Sequence, residues 1–125
     1  MSSIPADLKY TKEHEWIRES SATTYQIGIT DFAQGALGDI VYIQLPKVGQ
    51  SVRTGEVCGE VESTKSVSEI YSPLTGKVIA VNLSLDENPE LINQDPYNLG
   101  WIAEIEITSS ATDLLTSTEY ETLTA

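Results

Sequence analysis

Short runs in which β-branched or aromatic residues fall at every second position dominate the chain. "EWIRES", "TTYQIGIT", "DIVYIQLP", "EVCGEVES", "KVIAVNLSL" and "WIAEIEI" all follow this period of two, the spacing at which alternate side chains of a strand reach one face. Gly, Pro and Asn punctuate the gaps. "PKVGQSV" and "SPLTGKV" each put a proline and then a glycine ahead of a resumed strand, which predicts tight turns and two similar hairpin-like halves. So many short strands bury a single core most simply as two facing antiparallel sheets with peripheral helices.

Three segments break the alternation. "TDFAQGALG" predicts a short helix opening at Thr30 or Asp31 and stopping at Gly38. In "NPELIN", Asn88 is placed to cap a helical turn with Pro89 at its first position, where a missing amide hydrogen costs nothing. The tail "SSATDLLTSTEYETLTA" pairs Ser110 with Asp113 in the manner of a capping box, ahead of an imperfect stripe of Leu114, Leu115, Tyr120 and Leu123. A terminal helix near 110–122, packed on the sheets, is the expectation. No linker rich in Pro, Ser or Gly divides the chain, and 125 residues suit one domain over 1–125.

Charge narrows the function. Seven basic against 19 acidic side chains give a formal charge of -12, which repels phosphate backbones and anionic membranes; solubility is its first explanation, and docking to partner proteins with basic patches the functional one. No run is apolar and long enough to span a membrane, and the first residues have neither a secretory h-region nor an Arg-rich amphipathic character. Cys58 is the sole cysteine, so no intrachain disulfide or cysteine-based zinc cluster can form. A reducing compartment follows, with Cys58 a structural residue of a strand.

Enzyme motifs are missing. His14 is the only histidine, "HEWIR" lacks the second histidine of a zincin, and no serine lies in a G-x-S-x-G elbow. "GITDFAQGALG" has glycines without phosphate-loop spacing. His14 reads as a hydrogen-bonded structural residue, and Trp16 and Trp101 as core or cleft-wall aromatics. What stands out is Lys65 in "VESTKSVSEIYSP", a lone lysine among Ser63, Thr64 and Ser66 with Glu60, Glu62 and Glu69 around it. The period of the flanking residues puts it near a hairpin tip, where a side chain projects into solvent and a modifying enzyme has access.

"VESTKSVSEIYSPLTGKVIAVN" closely resembles the lipoyl-attachment hairpin of glycine cleavage system H proteins, in which an E-S-x-K core precedes an acidic residue and then Y-x-P-x-x-G-x-V-x-x-x-N. "YTKEHEWI", "GITDFAQGALGDIVYIQLPKVG", "NPELINQDPYNLGW" and the acidic tail follow in the family's order, so the resemblance runs from Leu8 to Tyr120. It implies a mainly β fold of the lipoyl/biotinyl type, a barrel-sandwich hybrid with its attachment hairpin near 60–72. It implies lipoate held as N6-lipoyllysine at Lys65, within the motif Glu62, Ser63, Thr64 and Ser66. Thr64 and Ser66 depart from the commoner wording, in which alanine is frequent, and both remain small.

The same resemblance implies a carrier without catalytic apparatus of its own, since group-carrier chemistry belongs to the cofactor. The arm would take an aminomethyl group from a pyridoxal-phosphate-dependent glycine decarboxylase (P protein) and deliver it to a tetrahydrofolate-dependent aminomethyltransferase (T protein). It would then present its dithiol to a flavin-containing dihydrolipoyl dehydrogenase (L protein). A lipoate ligase or lipoyltransferase would load it. The matching positions for sheltering the amine of the loaded arm are Glu13, Glu15 and Glu69, with Glu15 in the close match "HEW"; Glu13 stands where a small hydroxyl residue is common and Glu69 where aspartate is common. A lipoyl relay protein, or an interaction module serving another lipoate-dependent complex, is the alternative. A monomer is expected, in a bacterial cytoplasm given the initial methionine, with a mature organellar form the other location.

Overall fold

The computed structural model of the chain describes residues 3–110 and 113–125. In them the alternating runs become strands: β1 (Lys9–Tyr10), β2 (Glu15–Glu19), β3 (Thr24–Ile29), β4 (Ile40–Gln44), β5 (Ser51–Val52), β6 (Val57–Ser63), β7 (Val67–Tyr71), β8 (Gly76–Val81) and β9 (Ala103–Ile107). The helices are α1 (Asp31–Leu37), α2 (Ser84–Glu87), α3 (Leu91–Gln94) and α4 (Ser117–Thr124). Six strands form one antiparallel sheet in the order β1-β2-β3-β9-β8-β5, and three form a second in the order β4-β6-β7.

The sheets meet over one apolar core. Ile17, Ile27, Val78 and Ile105 of the larger sheet and Ile43, Val61 and Ile70 of the smaller one are all buried in it. The architecture is the expected pair of facing sheets, which do not close into a barrel. A second cluster, Leu8, Tyr10, Trp16, Tyr97 and Tyr120, lies beyond β2. Trp16 is fully buried there and donates its indole N–H to the Pro96 carbonyl at 2.9 Å, so it belongs to this core. Its cross-strand partner is Gly28, where a Cβ would stand 2.6 Å from the indole ring; only glycine leaves room for the tryptophan.

Several expectations change in detail. "PKVGQSV" and "SPLTGKV" are not hairpin turns: each carries the chain from the small sheet to the large one, from β4 to β5 and from β7 to β8. Pro and Gly announce a change of direction without saying which sheet receives the next strand. β5 and β8 then pair, Ser51 opposite Lys77. Asn88 ends α2 rather than capping the next helix; α3 begins at Leu91, behind Glu90, with no side-chain cap. Helix α1 follows its sequence signals, with the Thr30 hydroxyl accepting from the Ala33 N–H at 3.2 Å and Gly38 at its C-terminal end with φ 87°.

The terminal helix begins later than Ser110. Asp113 has φ 60°, outside helical geometry, and the capping box is formed by Thr116 and Glu119: the Thr116 hydroxyl accepts from the Glu119 N–H at 3.2 Å, and the Glu119 carboxylate accepts from the Thr116 N–H at 2.9 Å. The second box wins because it sets Tyr120 facing inward, where it is fully buried and stacked on Tyr10 at 4.7 Å. Part of the segment between Ser110 and Asp113 lies outside the described residues.

Candidate functional site

Lys65 sits in the three-residue loop, Thr64 to Ser66, joining β6 to β7, and its side chain is exposed. Neither Thr64 nor Lys65 has positive φ, so the tip does without the left-handed conformations that favour Gly or Asn in such loops. Ser63 supplies the missing geometry. Its Oγ accepts from the N–H groups of both Lys65 and Ser66 at 3.1 Å, while its own N–H donates to the Ser66 carbonyl at 2.8 Å. The Thr64 N–H donates to the Asp39 carbonyl at 3.1 Å. Every main-chain donor from Ser63 to Ser66 therefore has a partner, and the turn is held while its lysine faces solvent.

Around the tip the smaller sheet turns an acidic face outward. Tyr42, Glu62 and Val67 are cross-strand neighbours, as are Gln44, Glu60 and Glu69, while the alternate positions Ile43, Val61 and Ile70 point into the core. Glu60 and Glu69 stand directly opposite each other, a like-charge pairing that opposes strand association.

A cleft of about 520 Å³ opens where β7 ends, against Tyr71, Ser72 and Pro73. The turn between β1 and β2 contributes Thr11, Lys12, Glu13 and Glu15, and the tail closes it with Asp113, Leu115 and Glu119, so four carboxylates and one ammonium group line it. The tail is held there by paired main-chain bonds between Tyr10 and Leu115, at 2.9 and 2.8 Å. Behind it, the Tyr120 hydroxyl lies 2.7 Å from both Thr30 Oγ1 and His14 Nδ1. Thr30 Oγ1 also accepts from the Ala33 N–H; with a neutral His14 accepting at Nδ1, the Tyr120 hydroxyl donates to the imidazole and is left to accept from Thr30. Burial holds His14 below its ordinary pKa, in keeping with that assignment. His14 is thus an anchor of α4.

Glu15 is the distinctive acid. It is 3% exposed, and its carboxylate accepts from the Thr11 hydroxyl at 2.6 Å. Burial pushes its pKa up to about 7, against the lowering effect of the Thr11 bond, with the nearby Glu13 charge adding to the rise. A carboxyl poised at neutrality inside a cleft favours a cation that brings the charge burial denies it. Cys58, in the core near Glu15, has its thiol pushed up to about 12 by burial, as befits a structural residue.

Of the acids implied for sheltering an amine, Glu13 and Glu15 line the cleft together. Glu69 does not; it is exposed on the outer face of β7. Asp113 and Glu119 also line the cleft, although neither is among the acids the resemblance implies; the Thr116-x-x-Glu119 spacing is a readable signal for the helix that brings Glu119 there. Neither Trp16 nor Trp101 is among the lining residues.

The family model described as "Glycine cleavage H-protein" matches residues 8–125. The chain is 59% identical over 110 residues to a glycine cleavage system H protein of Mycobacterium bovis (strain BCG / Pasteur 1173P2), covering 88% of this chain and 82% of that one. Against the glycine cleavage system H protein of Mycolicibacterium gilvum it is 56% identical over 113 residues, 90% of this chain and 86% of the other. A crystal structure of a glycine cleavage system H protein from Mycobacterium marinum superposes with a TM-score of 0.90 at 44% identity, over 97% of this chain and 98% of that one.

Proposed function

The chain belongs to the glycine cleavage H-protein family, whose members carry lipoate on a lysine, and from that premise we propose that Lys65 is the lysine that bears it. One observation supports the assignment above others: Lys65 is exposed at a hairpin tip whose main-chain donors are all engaged, so the amine is presented on a fixed base. Acylation by a lipoate ligase or lipoyltransferase forms an amide at Nζ, displaces the leaving group of an activated lipoyl donor, releases a proton and removes the lysine charge. Bound lipoate supplies a disulfide that takes up the aminomethyl group of glycine and is left as a dithiol when that group departs.

The protein's own contribution is presentation and shelter. In this reading the body docks to glycine decarboxylase, aminomethyltransferase and dihydrolipoyl dehydrogenase in turn, and a tethered arm then meets each active site at high effective concentration. The acidic face of Glu60, Glu62 and Glu69 beside Lys65 complements basic entrances on such partners. Between visits the amine of the loaded arm is held in the cleft, where Glu15 ionises against it and Glu13 adds a second carboxylate. The chain does no chemistry of its own, acts as one domain over 1–125, and works in the cytoplasm of a bacterium, as its mycobacterial relatives suggest.

Intact-mass measurement after coexpression with a lipoate ligase tests the assignment. The wild type should gain one lipoyl amide and Lys65→Arg none. An adduct that survives Lys65→Arg overturns it.

A further inference from the structure

Asn93, on α3, uses its whole side chain at one place. Its Oδ1 accepts from the Ile40 N–H at 2.9 Å, and its Nδ2 donates to the Gly38 carbonyl and to Gln34 Oε1, both at 2.9 Å. Residues 38–40 leave the C-terminus of α1 and enter β4, a stretch where carbonyls lack helical partners. The carboxamide fixes this stretch from below. From above, the same stretch holds the lysine tip: the Asp39 carbonyl accepts the Thr64 N–H at 3.1 Å, and the Lys65 side chain lies along Gly38. A Cβ on Gly38 would come 3.4 Å from Lys65 Cε, and the φ of 87° there also favours glycine.

We propose that Asn93 is a positioning residue for acylation, fixing residues 38–40 as a shelf that holds Thr64 and Lys65 in the arrangement a lipoate ligase binds. This rests on the reading of Lys65 as the attachment site. The hydrogen bonds of Asn93 go to Ile40, Gly38 and Gln34, so it acts on Thr64 and Lys65 through the shelf. Without it the tip samples the bound arrangement only part of the time, which weakens recognition by that fraction and leaves the step after binding untouched.

The test uses apo protein, lipoate, ATP and a lipoate ligase, with initial rates followed against carrier concentration and amide exchange followed by NMR. Asn93→Ala should raise the KM for the carrier roughly tenfold, the effect of a tip that is competent about a tenth of the time, with kcat within about twofold of wild type. Exchange of the Thr64 amide should accelerate while core amides keep their protection. Asn82→Ala is the control for merely structural damage: Asn82 donates to the Leu99 and Trp101 carbonyls, both at 2.8 Å, in a different part of the fold. It should leave the KM and Thr64 exchange unchanged. Gly38→Ala disturbs the shelf from its own backbone, at the carbonyl that accepts from Asn93, and should also raise the KM.

An unchanged KM in Asn93→Ala, or a Thr64 amide that exchanges as in wild type, overturns the proposal. So does an equal KM rise in Asn82→Ala. Persistent labelling of Lys65→Arg would instead overturn the attachment site, and Thr64 exchange, which needs no acylation, would still decide whether Asn93 holds the tip.

Discussion

The lysine tip and the acid cleft lie at opposite ends of β7 and solve opposite problems. At the tip a charged group must stand in solvent, so rigidity comes from main-chain bonds to Ser63 and Asp39 while the side chain stays exposed, resting along Gly38. In the cleft an acid must be withheld from solvent, and burial moves the pKa of Glu15 to about 7. The tip is also local, four consecutive residues on a short shelf. The cleft draws on the β1–β2 turn, the end of β7 and the tail, so its geometry depends on packing far from the carboxylates. Presentation is therefore robust to changes in the core, and shelter is not.

The largest break in that contrast should come from Tyr120→Ala. It removes a fully buried ring stacked on Tyr10 and leaves Thr30 and His14 without their shared hydroxyl. Loss of an aromatic side chain from a core costs about 3–5 kcal/mol, measurable by urea unfolding. Helix α4 should detach and the cleft open. The variant should lose its loaded aminomethyl group faster than wild type, yet accept lipoate at the wild-type rate. Equal damage to both activities would mean that tip and cleft are one unit.

Glu15→Gln sharpens the cleft side alone. The native pKa of about 7 lies above the ordinary value of 4.5, so the native state holds a proton that the unfolded chain releases. Stability from this group is full below pH 4.5 and is lost as pH rises to about 7, a fall on the order of 3 kcal/mol. His14 works in the opposite sense: its lowered pKa favours the folded state above the ordinary value of 6.5 and subtracts stability as pH falls below it. Glu15→Gln should flatten the decline between pH 4.5 and 7 and leave the His14 slope in place. The same variant should release the aminomethyl group faster at pH 7.5. A release rate equal to wild type would remove Glu15 from the holding site, whatever the stability curve shows.

The two regions also differ in how far the sequence disclosed them. The alternation in "EVCGEVES" and the small residues around Lys65 placed the tip, because a hairpin end is written in adjacent residues. Thr30 and Gly38 bounded α1 for the same reason. The two-residue strands β1 and β5 have too few positions to show a period, although β1 supports the tail that closes the cleft. Ser110 with Asp113 and Thr116 with Glu119 have the same capping spacing, and the choice between them depends on where Tyr120 packs. Glu69 matched by motif but lies on the outer face, since strand alternation sends it away from the core side occupied by Ile70. Asn93 had no local signal at all, because its partners lie more than fifty positions away.

The smallest effect belongs to Ser63→Ala, and it probes the tip without the shelf. The hydroxyl accepts two amides, from Lys65 and Ser66, that are already close to solvent. Water replaces such an acceptor readily, so the loss of stability should be about 0.5–1 kcal/mol. Amide exchange at Lys65 and Ser66 should accelerate, while Thr64 keeps the protection it draws from Asp39. Glu15 should titrate as in wild type and the loaded group should be retained equally well. A change at the cleft from so small a deletion would show that β7 transmits tip geometry along its length, and the separation between presenting and sheltering would then fail.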